Sequence, residues 1–453
     1  MSPFDVFDQV FGNLSLFLVL TILFVLILYI GIRDVAAAGY FDPLHFFWTF
    51  TYGSAYALIA GLYLLGYVSF FYMMLVYSLG LLFVLALRLC LLFPYNTASF
   101  FIIKVCQPSF GMKSLFCLLS IFYVFAVAYQ ISIIGFGMVA STNRFEQARG
   151  NGGIIRFLGA IVPFMTAAGS IYIYNLAQKK GKKAKDYFLF SFFLFLIFLF
   201  VAFNSVLDGS KAAVLLYIYA AVSAIALYTY KKPKFYFFRL SILFLLILFF
   251  ALLVQSFDLK NQNLKASSAQ YFPESFFAIE RLIFRVIGNG DKYYLGLPNE
   301  VIERVETDSL AIRLMAPMLG STNLSNLLGY NVNNYDVGRQ ILLQHSPNHE
   351  IAGGPTSHFD LFSYKYLGIY FCWVWVMLTA FIFSVLIKIK SFAFGNVFVA
   401  AIGAQLWLSG LTLLLEPPIG IAKILDILII FGAVNLLSQL FPKKNSRLVP
   451  INT

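Results

Sequence analysis

Long unbroken apolar runs constrain this chain before anything else does. Crossing a bilayer takes about 20 apolar residues in a helix, because a helix satisfies its backbone N–H and C=O groups within one segment. Runs of that kind fall near 14-32, 44-65, 67-87, 114-139, 157-178, 187-206, 212-230, 236-256, 366-387, 394-415 and 419-441. The stretch 44-87 holds no charged residue and is too long for a single helix, so it is divided at Gly66. Composition agrees: 11% of the 453 residues are charged, against about one quarter in a soluble globular chain. The expectation is an all-α integral membrane protein of about 11 transmembrane helices, within a range of 10-13.

The polar residues are not spread evenly between these runs. One segment of 109 residues, 257-365, separates the eighth run from the ninth and holds His345, His349 and His358, three of the four histidines. The chain thus divides into 1-256 with eight spans, 257-365 as one large loop, and 366-453 with three spans and a tail. A transporter keeps its polar chemistry inside its spans; here it is concentrated in one loop, which points to an enzyme working at a membrane surface.

Charge sets the orientation. With alternating spans, one side collects 18 basic residues, including the run Lys179 to Lys185, against the three acids Asp34, Asp42 and Asp186. The other side holds the remaining 14 basic and 17 acidic residues. Lys and Arg accumulate on the cytoplasmic side, so the large loop is expected outside the cytoplasm. The net charge of +12 is then a topology signal, and a nucleic-acid partner is excluded because the cations sit in short connectors. Met1 to Asn13 carry no Lys or Arg, unlike the basic start of a cleaved signal peptide, so the first span is expected to remain. Cys90, Cys106, Cys117 and Cys372 lie in or near spans or on the basic side, and no structural disulfide is expected.

Within the loop, Glu274 to Ile287 reads as an amphipathic helix ended by Gly288-Asn289-Gly290, with Arg281 and Arg285 on one face. A second helix is expected from Glu300 to Met318, and 320-354 reads as Asn- and Gly-rich loop. His345 and His349 have a zinc-helix spacing, but Pro347 between them opposes a helix, so no metal site is expected and they read as loop residues.

Four segments offer chemistry. Arg144 and Arg149 precede a Gly-rich turn that leads to Arg156; guanidinium forks and free backbone N–H groups at a helix start both suit phosphate oxygens. Asp208-Gly209-Ser210-Lys211 is a short turn whose Lys211 supplies a point charge. Arg281 and Arg285 sit on the loop helix, and Arg339 farther along the loop joins this cationic set. His358, in Gly353 to Gly368 at the entry to the ninth span, has an ordinary pKa of about 6.5, suited to accepting a proton at neutral pH. Lys423 and Asp426, three apart inside the last span, are expected to pair with each other.

The layout with one long loop before the last spans, together with His358, Leu361, Phe362 and Leu367-Gly368, resembles the O-antigen polymerase and O-antigen ligase group of membrane glycosyltransferases. Phe359 stands where that group has Asn, and Lys211 stands for the Arg of its Gly-Ser-Arg turn. The Arg144/Arg149 loop resembles its earlier basic loop, and Arg285 to Gly296 fits an Arg-x10-Gly spacing of some members.

The resemblance implies a GT-C-like fold in a bacterial inner membrane, with the large loop periplasmic. It implies polymerisation of undecaprenyl-diphosphate-linked oligosaccharide repeat units, as donor and acceptor, by metal-independent, inverting transfer without a cofactor. A chain-length regulator in the same membrane is implied as a partner. On this reading His358 is the base, Arg285 acts with it at the reaction centre, and Arg144, Arg149, Arg156, Lys211, Arg281 and Arg339 bind diphosphate and glycan. The alternatives are transfer to lipid A core by a ligase and movement of the glycan by a flippase.

Overall fold

A computed structural model of the chain describes residues 3-136, 152-178, 184-208, 211-230, 270-273, 276-349 and 354-440. Those residues form helices and turns, with no strand among them. Eight helices among them are long and apolar enough to cross a membrane, so the chain is an all-α membrane protein.

After a short α1, Pro3–Gly12, α2 runs over Leu14–Ile32. The second expected span is helical in two joined pieces, a wider π-type turn over His45–Phe50 and α3, Thr51–Leu64. The chain then reverses through Gly66 at φ 80°, a left-handed conformation that glycine adopts without a Cβ clash. The division of 44-87 at Gly66 therefore holds. Ser69 caps α4, Phe70–Leu92, by accepting from the Tyr72 N–H.

Next come α5, Asn96–Cys106, and α6, Met112–Ile133. They are followed by α7, Gly152–Gln178, α8, Ala184–Asp208, and α9, Lys211–Thr229. The expected span 236-256 lies outside the described residues.

The loop is more helical than its composition predicts. Besides α10, Phe277–Ile287, it contains α11, Asp291–Gly296. The expected single helix over 300-318 is two, α12, Val301–Arg304, and α13, Leu310–Leu319, split by an extended passage at Val305. The segment 320-354, read as loop, forms α14, Ser321–Leu328, and α15, Val337–His345. Local caps nucleate these helices: Ser309 accepts from Ile312 N–H and Asp336 from Gly338 N–H. Gly288-Asn289-Gly290 does not stop the helical course but tightens it into a 3-10 turn that leads into α11. There the backbone comes so close to α3 that a Cβ on Gly290 would lie 2.7 Å from Leu58.

The chain continues as α16, Phe359–Lys388, which begins seven residues before the span that hydropathy alone predicts and is broken by a kink at Gly368 (φ 68°, ψ 175°). After α17, Lys390–Ala393, come α18, Val397–Leu415, and α19, Pro417–Ser438. Helix α18 is the centre of the bundle, with 89% of its apolar window buried against 11% for the window within α8. Without charges on any face, α18 can be surrounded by other helices, and Gly403 and Gly410 let Ile389 and Leu386 of neighbouring turns close on it.

The loop is tied down onto one end of the bundle by polar contacts. Glu303 accepts from Tyr72 Oη of α4 at 2.9 Å and Tyr364 Oη of α16 at 2.6 Å, while Lys365 Nζ donates to Ile302 O at 3.1 Å. Arg313 and Asp308 form an ion pair at 2.7 Å with side chains 6% and 3% exposed, and Asp336 lies 3.5 Å from the same guanidinium. A buried charge is tolerated when paired and hydrogen-bonded, and this trio joins the start of α13 to the start of α15.

Candidate functional site

The loop end of the bundle contains a buried polar chain with His358 at its middle. His358 is 0% exposed, and its backbone adopts φ 44°, ψ 153°, a strained conformation for a residue with a Cβ. Its N–H donates to Leu415 O at 2.9 Å, which fastens the entry of α16 to the end of α18. The ring packs on Tyr52 of α3, with centroids 4.5 Å apart.

Both ring nitrogens are taken. Lys292 Nζ lies 2.8 Å from Nε2 and Tyr293 Oη lies 3.0 Å from Nδ1, while the same hydroxyl donates to Asp360 Oδ2 at 2.6 Å. One assignment of protons satisfies every group. Lys292 donates to Nε2, Nδ1–H donates to the tyrosine oxygen, and the tyrosine proton goes to the Asp360 carboxylate. The ring is therefore neutral. Burial, and then the charge on Lys292, hold the His358 pKa well below its ordinary 6.5.

Lys292 is itself 1% exposed. Its ammonium also donates to Asn289 O and to Thr356 Oγ1 at 3.3 Å, with Asp291 Oδ1 at 3.3 Å. Burial lowers its pKa, and Asp291 opposes that shift. In this arrangement His358 has no nitrogen free for a substrate hydroxyl, and its surroundings differ from the membrane-boundary position read from the sequence.

The other sequence candidates are dispersed. Arg144 and Arg149 lie outside the described residues, and Lys211 begins α9. Arg285 is exposed on α10, whereas Arg281 leans over Phe277 and Phe284. Arg339 is buried and donates to His349 O. His345 Nε2 is 2.8 Å from Leu295 O.

Arg156 is heavily engaged. Its Nε donates to Asp426 Oδ2 at 2.8 Å and its Nη2 to Oδ1, while Nη1 donates to Pro317 O and Met318 O. The fork thus ties α7 to α19 and to the end of α13. The expected Lys423–Asp426 pair is corrected by this geometry: three-residue spacing would permit it, but both carboxylate oxygens of Asp426 are taken by the Arg156 fork.

A second polar region opens beside the first. Glu416 caps the turn between α18 and α19, held by its N–H to Thr412 O at 2.8 Å and by Pro417-Pro418. The preceding carbonyls are clamped as well, Leu414 O by Tyr52 Oη and Leu415 O by the His358 N–H. Glu416 is partly accessible, and its carboxylate has no hydrogen-bond or ion-pair partner among the described residues. Burial, then the nearby Asp336, push its pKa up from 4.5 to about 7, with Lys423 and Lys292 pulling down. Lys423, seven residues on along α19, is exposed and likewise has no ion-pair partner among the described residues.

Sequence reading missed Lys292, Tyr293, Asp360 and Glu416. Burial of a loop lysine leaves no trace in sequence. Asp360, two residues after His358, stood within the quoted stretch, and Glu416 is a lone acid between two apolar runs, a signal that was legible. Comparison with protein-family models, curated proteins and solved structures finds no match for this chain.

Proposed function

We propose that this chain is a membrane glycosyltransferase that joins lipid-linked oligosaccharide repeat units into a surface polysaccharide at the outer face of a bacterial inner membrane. The observation that supports it best is the convergence of the docked loop with the loop end of the bundle on accessible, unpartnered charged groups, Glu416 and Lys423. A polar reaction region at the edge of an apolar bundle suits a substrate with an isoprenoid tail and a diphosphate-linked glycan head. The tail stays in lipid, and the head enters beneath the loop. The resemblance of the His358 stretch and of the overall layout to the O-antigen polymerase group, with its GT-C-like fold, agrees with this reading.

On this reading the His358–Lys292–Tyr293–Asp360 chain is a positioning device: it fixes the junction of α16, α18 and α11 against which the head group rests. Exposed Arg285 is available to the diphosphate or glycan, whereas Arg156 acts through the walls it ties together. Arg144 and Arg149 remain candidates from the resemblance, and a chain-length regulator remains the expected partner.

The test supplies purified, reconstituted protein with a lipid-linked repeat unit as its only substrate. A polymerase builds a ladder of lipid-linked oligomers. No bond formation until lipid A core is added would make the chain a ligase, and a change of sidedness without a new bond would make it a flippase; either result replaces the proposal.

A further inference from the structure

Two charged groups of opposite sign, Glu416 at the N-cap of α19 and Lys423 within it, stand beside several tightly paired ions. Glu416 is the non-helical N-cap of α19 (φ −143°, ψ 88°), and Lys423 follows seven residues on, about 10 Å further along the axis of the helix. Neither has a hydrogen-bond or ion-pair partner among the described residues, although Arg156, Asp426, Arg313, Asp308 and Lys292 nearby all do. Both remain accessible. An unpaired lysine inside an apolar span is expensive to maintain in a bilayer and marks a functional pathway by default.

The surroundings are mixed in charge. Glu416 faces Asp336 of the cap of α15, Asp291 and Lys292 of α11, and Lys423 of the helix it precedes. Lys423 faces Glu416 and Asp208 at the end of α8. The carboxylate thus sits on the loop side, among groups that hydrogen-bond sugars well, and the ammonium sits deeper, where the phosphates of a membrane-anchored donor would lie. The turn that carries Glu416 is fixed by the contacts of Tyr52 and His358 to its carbonyls, so the carboxylate is held in place without being neutralised.

We propose that Glu416 and Lys423 form the reaction centre: Lys423 binds the diphosphate of the lipid-linked donor, and Glu416 takes the proton of the acceptor hydroxyl. This rests on the glycosyltransferase reading above. As the acceptor oxygen attacks the anomeric carbon, its proton passes to the Glu416 carboxylate. The bond from that carbon to the phosphate oxygen breaks, and its electron pair leaves with the lipid diphosphate, whose charge Lys423 offsets. The carboxyl then returns its proton to water. A carboxyl held near neutrality by its surroundings is matched to that exchange.

Two measurements on the full-length protein test this separately. The first is polymerisation in proteoliposomes. Glu416→Gln, close to isosteric, should lose roughly a hundredfold or more of turnover with little change in donor KM. Glu416→Asp should keep part of the rate with a displaced pH profile. Wild-type turnover should fall as pH drops below about 7, where the base becomes protonated. Ladders from Glu416→Gln at the wild-type rate, with the same acid limb, would overturn the role of Glu416 and leave the polymerase reading standing. A wild type that forms no bond from any lipid-linked glycan would sink that reading, and the role of Glu416 with it.

The second measurement is equilibrium binding of farnesyl diphosphate, which needs no turnover. Lys423→Met, which suits an apolar helix, should weaken binding at least tenfold, and Lys423→Arg should retain it. Equal binding by wild type and Lys423→Met would overturn the diphosphate site.

Discussion

Replacing His358 by Ala separates a structural hub from a solvent-facing base. The ring is 0% exposed and holds two partners, Lys292 Nζ at 2.8 Å and Tyr293 Oη at 3.0 Å. A hydrogen bond to a charged group contributes about 1.5–3 kcal/mol, and a neutral one about 1 kcal/mol. Together they give an expected loss of about 2.5–4 kcal/mol, with no relief from the positive φ, which alanine tolerates no better than histidine. Lys292→Met alone should cost about 1–3 kcal/mol by leaving Nε2 without its donor. The Lys292→Met/His358→Ala double variant should fall short of the sum by about 1–3 kcal/mol, because the stranded buried ammonium is gone. Unfolding of the purified protein by SDS in mixed micelles measures all three. A base that only met solvent and substrate would lose rate while the fold stayed as stable as wild type. A His358→Ala loss below about 1 kcal/mol, or strict additivity in the double variant, would refute the buried chain.

The same groups set opposite pH dependences. His358 has a folded pKa below its ordinary 6.5, so the unfolded chain binds more protons there and stability falls as pH drops below about 6.5; His358→Ala should lack that fall. Glu416 is raised from 4.5 to about 7, so the folded state binds the extra proton and stability declines as pH rises between those values; Glu416→Gln should show a flatter curve over that window. Arg156→Ala should lower stability by about 1–3 kcal/mol by freeing Asp426 and two carbonyls, and Arg156→Ala/Asp426→Ala should recover part of it; additive losses would mean the pair is not formed. Gly338→Ala puts a Cβ 1.7 Å from Pro355 O, and forcing those backbones apart should cost about 1–3 kcal/mol and speed proteolysis of the loop; an unchanged cleavage rate would contradict the packing. An impermeant thiol reagent applied from outside should label Asn331→Cys more than wild type and leave Gly181→Cys at the wild-type level; the reverse pattern would invert the orientation drawn from the basic residues.

What could be read from the sequence was one-dimensional. Apolar runs report helices that satisfy their own backbone, so the all-α membrane class, the division at Gly66 and the helix ending at Ile287 were legible. A helix over 300-318 was legible too, although its division at Val305 was not, whereas α14 and α15 were hidden because an Asn- and Gly-rich composition masks short helices held by tertiary contacts. The start of α16 at Phe359 was hidden because His358, Asp360 and Lys365 look like loop residues until burial and partners are known. The partners are the part no local pattern carries. Arg156 meets Asp426 across 270 positions, and Lys292 meets His358 across 66; only the packing of α7 on α19 and of α11 beneath α16 brings them together. The sequence by itself determined where a histidine, an arginine and an unpaired acid occur. Tertiary structure decided which of them spend their hydrogen bonds on one another and which, like Glu416 and Lys423, are left with charge to offer a substrate.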